Sequence, residues 1–312
     1  ITINYNKTVT LSTATDYSST RFNFYQNANL ITTKGDTILS KLTFNDPSNI
    51  TIKGNTIIDG TNINSANLWG ILVYDDTNIT FTNNPVVAAK INFTGTNGSI
   101  TAATDGQQFT GNIAKAKDNK FVIAANNVTL PSKAIQTPDG YFSKYTVNNG
   151  FTAKLPDKDY TTSTLDTDGG GIFETTQKPT SIGPMLGTGQ FNANNDTTFT
   201  DNSVNNLSKV NIKDGTNSTL NTAGPFNNVT FNTNTNGTIA VTKTTTLGPV
   251  TGSGTVGIVG DNITAYFTNS PTVSTKINFS GQNSWIGATK NNQTFTGTIT
   301  GADKNGFWAT AN

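Results

Sequence analysis

The sequence predicts an all-β chain, expected to be a right-handed parallel β-helix (β-solenoid), with tandem β-sandwich modules as the alternative. Three observations carry that expectation. Thr and Asn together supply about a third of the 312 residues, residues that favour helix interiors are scarce, and one 46-residue stretch occurs twice.

The composition speaks first. The chain has 59 Thr and 44 Asn, with 29 Gly. A branched Cβ packs well on a pleated sheet, and Asn and Gly occupy turn positions that need positive φ. There is one Glu (Glu174), one Met (Met185) and one Arg (Arg21), and apolar residues seldom recur at helical spacing. Apolar residues are 33% of the chain but include 18 Phe, with many Ile and Val at strand spacing, so enough surface can be buried to oppose disorder.

The duplication organises the rest. Phe81 to Asn126 aligns without a gap on Phe267 to Asn312 at an offset of 186, and 23 of the 46 positions are identical. Apolar positions recur (Ile91, Phe93, Ile100, Phe109, Ile113 and Phe121 with Ile277, Phe279, Ile286, Phe295, Ile299 and Phe307), and so do turn positions (Pro85, Gly95, Asn97, Gly111 and Asn119 with Pro271, Gly281, Asn283, Gly297 and Asn305). Core and turns were copied together, as expected of a folded unit. Within each copy Ile91 and Phe93 alternate with Lys90 and Asn92, the pattern of a strand with one buried and one wet face. Similar segments begin at Asn49, Asn78 and Asn228.

Two architectures fit short strands joined by turns: coils of about 20 residues stacked into a parallel β-helix, or antiparallel sandwiches. Abundant Asn and Thr, able to stack in ladders from coil to coil, and the scarcity of two-residue hairpin turns favour the β-helix. Three regions are expected. Residues 1–130 form a β-repeat region ending in the first copy (81–126). Residues 131–190 form a Pro/Gly-rich excursion or connection, because Pro131, Pro138, Pro156, Pro179 and Pro184 and the run Gly169 to Gly171 fall there and should interrupt regular pairing. Residues 191–312 form a second β-repeat region ending in the second copy (267–312).

The phrases KINFTGTNGSITAATDGQQFTGNI and KINFSGQNSWIGATKNNQTFTGTI resemble the repetitive passenger regions of rickettsial surface cell antigens, the outer membrane protein B type of autotransporter. The resemblance covers the two duplicated stretches and the Asn/Thr style of the whole. It implies a passenger domain, secreted and displayed on the bacterial cell surface. There it would serve as an adhesin, contacting a host-cell surface protein or glycan, or as a coat contacting neighbouring copies of itself. No catalytic residue and no cofactor come with that family. A self-assembling S-layer or filament subunit is the alternative function, and a polysaccharide-cleaving or phage-tail enzyme on a β-helix the remote one.

Several classes are disfavoured by what the residues lack. His is absent, and with it the commonest general base at neutral pH and a principal metal ligand. Cys is absent, so there are no disulfides or thiolate metal sites. A net charge of +1 with 12% charged residues offers no field for nucleic acid. The longest apolar runs, such as Ile71 to Tyr74 and Phe121 to Ala125, are far short of a membrane span, so this segment is not expected to insert. The chain starts at Ile1 without a signal-like stretch, as a processed or excised piece would.

The remaining chemistry-bearing groups read mostly as architecture, and no catalytic, cofactor or metal residue is assigned. Asp75 and Asp76 are adjacent, so on a strand they point to opposite faces; Asp157 with Asp159 and Asp166 with Asp168 are the other carboxylate pairs. Asp166, Asp168 and the following glycines resemble the start of a calcium loop, with Glu174 a possible further oxygen, but the full ligand spacing is missing. The Gly-rich run Gly248 to Asp261 lacks the GK[ST] of a phosphate loop. Lys115, Lys117 and Lys120 read as a solvated turn. Trp69, Trp285 and Trp308 can line a sugar site or simply pack. Sequons at Asn78, Asn92, Asn97, Asn228 and Asn262 follow from the composition.

Overall fold

A computed structural model describes residues 1–60, 63–136, 140–177 and 179–309. Pro138 and the last three positions of the second copy lie outside them. The chain divides into two compact units, Ile1–Pro156 and Asp157–Asn312. Each is a β-solenoid: short strands lie on successive faces of a coil, and each strand pairs with its counterpart about twenty residues on, as Ile79 does with Ile100 and Phe191 with Val210. All pairings among the described residues are parallel, which excludes the antiparallel sandwich.

In the first unit one face runs through Thr8–Leu11, Asn29–Thr32, Ser48–Ile52, Leu68–Val73, Ile91–Phe93 and Ile113–Ala114. Alternation along these strands sends about every second side chain inward, with Thr51 and Gly70 buried as well. Register then stacks like on like, and Leu30, Ile50, Ile71, Ile91 and Ile113 form one fully buried column. Each such side chain contributes about 1.5–3 kcal/mol by leaving water. The neighbouring face carries Asn78–Thr82, Ser99–Ala102, Lys120–Ile123 and Lys144–Val147, whose buried column reads Ile79, Ile100, Phe121, Tyr145. In the second unit Ile182, Phe199, Leu220, Val241, Ile258 and Phe279 stack in the same way.

The corners explain the Asn content. Asn6, Asn27, Asn83, Asn97, Asn127, Asn262, Asn283 and Asn292 all have φ between 53° and 58°. This left-handed region is open to Gly and tolerated by Asn and Asp but costly for most other residues.

The duplicated stretches have one backbone plan. The strands Val86–Val87, Ser99–Ala102, Gln108–Phe109, Ile113–Ala114 and Lys120–Ile123 recur 186 residues later as Thr272–Val273, Trp285–Ala288, Thr294–Phe295, Ile299–Thr300 and Gly306–Ala309. The edge-to-face triad Phe81, Phe109, Phe121 (centroids 5.7 and 5.0 Å) recurs as Phe267, Phe295, Phe307 (5.6 and 5.1 Å). A turn amide was copied as well. Asn119 accepts from the Gly98 N–H (2.8 Å) and donates to the Gly95 and Lys115 carbonyls (3.2 and 2.9 Å). Asn305 does the same with Ser284, Gly281 and Gly301 (2.8, 2.9 and 2.7 Å).

Strands run from Lys144–Val147 to Met185–Leu186, where the sequence led us to expect interrupted pairing, whereas among the described residues none lies between Val128–Thr129 and Lys144–Val147; the division between the units falls inside the expected tract. Pro156 follows Thr152–Leu155, Pro179 precedes Thr180–Ile182, and Pro184 precedes Met185–Leu186. In these places the missing N–H costs no ladder bond. Pro184 still serves the preceding coil, accepting from the Leu165 N–H at 2.9 Å. The longest detour lies between Val128–Thr129 and Lys144–Val147 and contains a short 3-10 turn, Lys133–Ile135. Buried Gln136 closes it, donating to the Pro131 carbonyl (2.7 Å) and accepting from the Phe142 N–H (3.0 Å).

Candidate functional site

The outward faces of the strands present side chains in columns, one residue per coil. In the second unit Glu174, Asn192, Asn211, Asn232 and Thr251 are consecutive register partners. The Asn211 amide donates to Asn192 Oδ1 (2.9 Å), Asn232 donates to Asn211 Oδ1 (3.3 Å), and the Thr251 hydroxyl donates to Asn232 Oδ1 (3.3 Å). This is the coil-to-coil polar ladder that the composition favoured. It holds half-exposed amides in one orientation over four coils, with their rotamer entropy already lost in folding.

Five acidic residues are struts between coils. Asp75 Oδ1 accepts from the Thr96 N–H one coil away (2.7 Å), and its counterpart Asp261 accepts from Gln282 (2.7 Å). Asp105, Asp196 and Asp214 bond the Asn126, Asn217 and Asn236 N–H groups in the same fashion. Asn does the same work elsewhere, Asn205 accepting from the Asn228 N–H at 2.8 Å. Asp76 sits at a left-handed corner (φ 53°). Asp159 caps its own turn through the Thr161 N–H (2.9 Å) and hydroxyl (2.7 Å).

Asp166 closes a turn on the Asp168 N–H (3.1 Å), and Glu174 Oε2 instead accepts from Asn194 (3.4 Å). Among the described residues no three Asp, Glu, His or Cys side chains gather to hold a metal ion. Within Gly248 to Asp261, Gly252 is needed for backbone packing: it has φ 90°, and a Cβ there would overlap the Thr233 carbonyl. Lys115 occupies a left-handed corner (φ 58°) where the second copy has Gly301. The sequon residue Asn78 is tied into its face, its Oδ1 accepting from Ser99 (2.8 Å) and Thr101 (2.9 Å).

The three Trp residues stand on the outside. Trp69 is 53% exposed beside a register shift between the strands Ser48–Ile52 and Leu68–Val73. Trp285 and Trp308 are 45% and 50% exposed, and with Thr264 they line a shallow cleft of about 420 Å³. Alternation alone places them outward, but their meeting depends on register 21 residues away. Among the described residues no helix is long and apolar enough to cross a membrane. No family model matches the chain, and neither a curated protein nor a solved structure does.

Proposed function

We propose that this chain is a bacterial cell-surface passenger that works as an adhesin, binding through the ordered polar faces of its coils rather than through a catalytic pocket. The observation that carries this reading is the hydrogen-bonded column Asn192, Asn211, Asn232 and Thr251. Such a surface offers repeated amide and hydroxyl groups at the coil spacing of about 4.8 Å. A partner that binds it meets groups already ordered, which lowers the entropy lost on association. Weak contacts repeated along a column add by multivalency. The carboxylates support the same reading, since Asp75, Asp105, Asp196, Asp214 and Asp261 are committed to backbone N–H groups of adjacent coils.

Beads coated with the chain test this on cultured mammalian cells. Adhesion above that of albumin-coated beads, competed by the soluble chain and reduced by Asn192→Ala/Asn211→Ala/Asn232→Ala, is the expected result. No adhesion, with sheets or filaments forming as concentration rises, would instead identify a self-assembling coat subunit.

A further inference from the structure

The duplication supplies its own control for one surface. In the first copy the outward columns are Asn78, Ser99, Lys120 and Thr80, Thr101, Val122, and Asn78, Thr80, Ser99 and Thr101 form a polar network. Asn78 donates to Thr80 (2.9 Å) and accepts from Ser99 and Thr101. At the same backbone positions the second copy has Thr264, Trp285, Gly306 and Tyr266, Gly287, Trp308. The network is replaced by three aromatic residues alternating with two glycines.

The glycines decide how the rings lie. A Cβ on Gly287 would overlap the Tyr266 ring, and one on Gly306 would overlap the Trp285 indole. The Tyr266 and Trp285 rings therefore rest over the next coil where there is no side chain. Tyr266 and Trp308 approach to 6.1 Å between centroids at 59°. The polar groups of this patch are unspent. The Trp285 and Trp308 indole N–H groups and the Thr264 and Tyr266 hydroxyls have no hydrogen-bond partner among the described residues. Neither column bears a charge from Thr264 and Tyr266 to Gly306 and Trp308.

We propose that Tyr266, Trp285 and Trp308, with Thr264, form a binding site for neutral pyranose units of a glycan carried by another cell surface. A pyranose ring has an apolar C–H face that stacks on an aromatic ring and a rim of hydroxyls that needs neutral donors and acceptors. Trp285, Trp308 and Thr264 present both in a cleft within the size range of small-ligand sites, with Tyr266 beside Trp308. A purely apolar partner would strand the free N–H and O–H groups, and a charged glycan finds no counter-charge in the two columns. The proposal rests on the adhesive reading for its biological occupant.

The full chain is applied to an array of neutral, sulfated and sialylated oligosaccharides, beside Trp285→Ser/Trp308→Val, which restores the residues of the first copy, and Trp69→Ser as control. Unfolding midpoints confirm that all variants fold. Neutral oligosaccharides should bind, with roughly tenfold loss for each Trp removed from the cleft and no change in Trp69→Ser. Binding confined to acidic glycans, binding unchanged in the double variant, or no neutral glycan bound would overturn the site. So would self-association of the chain that the double variant abolishes. Bead adhesion scored in parallel separates the two readings: adhesion without glycan binding removes only this site, and glycan binding without adhesion removes only the adhesive function.

Discussion

Replacing Asn119 tests whether the duplicated amides hold adjacent coils together. Its side chain is 1% exposed and bonds three backbone groups: the buried Gly98 N–H and the part-buried carbonyls of Gly95 and Lys115. Asn119→Ala strands that N–H, at a cost of about 1–3 kcal/mol, while the two carbonyls regain some water and lose less, so the total should be about 3 kcal/mol. Asn119→Asp keeps the acceptor for Gly98 but turns a carboxylate toward two carbonyl oxygens. Burial and those oxygens push the new carboxyl's pKa above its unfolded value of about 3.9. A raised folded pKa means that the native state holds the proton more tightly. The stability linked to it is therefore fully present below the unfolded pKa and is lost as pH rises through the folded one. Asn119→Asp should thus be less stable than Asn119→Ala at pH 7 and recover relative to it toward pH 4. Urea unfolding followed by far-UV circular dichroism gives the energies, and hydrogen exchange of residues 95–120 gives the location. An Asn119→Ala change within about 0.5 kcal/mol of the parent, the range of ordinary surface substitutions, would refute the reasoning. So would an Asn119→Asp variant whose stability relative to Asn119→Ala does not depend on pH.

Ile71→Ala, in the middle of the buried column from Leu30 to Ile113, should cost about 2–5 kcal/mol in the same urea assay, and outward-facing Leu72→Ala under about 1. Asp75→Asn should leave stability within about 0.5 kcal/mol, because the amide oxygen can still accept from Thr96 as Asn205 does from Asn228, whereas Asp75→Ala should lose about 1 kcal/mol. The Ser18 hydroxyl and N–H hold the exposed Asp16 carboxyl below its ordinary value. Its contribution is present above the unfolded pKa and fades as pH falls through the folded one. Carbon-13 shifts should place the Asp16 midpoint below about 3.9, with Ser18→Ala moving it upward.

Local pattern made the strands legible, while long-range register stayed hidden. The alternation of Lys90, Ile91, Asn92 and Phe93 is enough to place a strand and its buried face, and Ile91 and Phe93 are buried. The duplication was readable because core and corner residues recur together, and the two copies carry their strands at matching positions. Proline misled between 144 and 190, since it interrupts a ladder only where its missing N–H is needed, and Pro156, Pro179 and Pro184 stand at strand ends. The aromatic patch was half legible. Trp285 alternates with buried Ile286, so it points out, but its seat over Gly306 follows from a pairing 21 residues away that no local pattern reveals. The carboxylate pairs were read as turns, but their partners stayed hidden for the same reason, because the N–H that Asp75 serves belongs to Thr96 on the next coil.

Both the polar ladder and the aromatic cleft depend on parallel, in-register stacking of coils, and the absence of Cys from the chain makes spin labelling a direct measure of it. Asn192 and Asn211 are register partners, with Cα atoms about 4.8 Å apart, and Asn192 and Asn232 lie two coils apart at about 9.6 Å. Nitroxides on Asn192→Cys/Asn211→Cys should give a spectrum strongly broadened relative to the sum of the two single labels, and Asn192→Cys/Asn232→Cys a weaker broadening. Spectra equal to the sum of the single labels for Asn192→Cys/Asn211→Cys would contradict the stacking on which both surfaces rest.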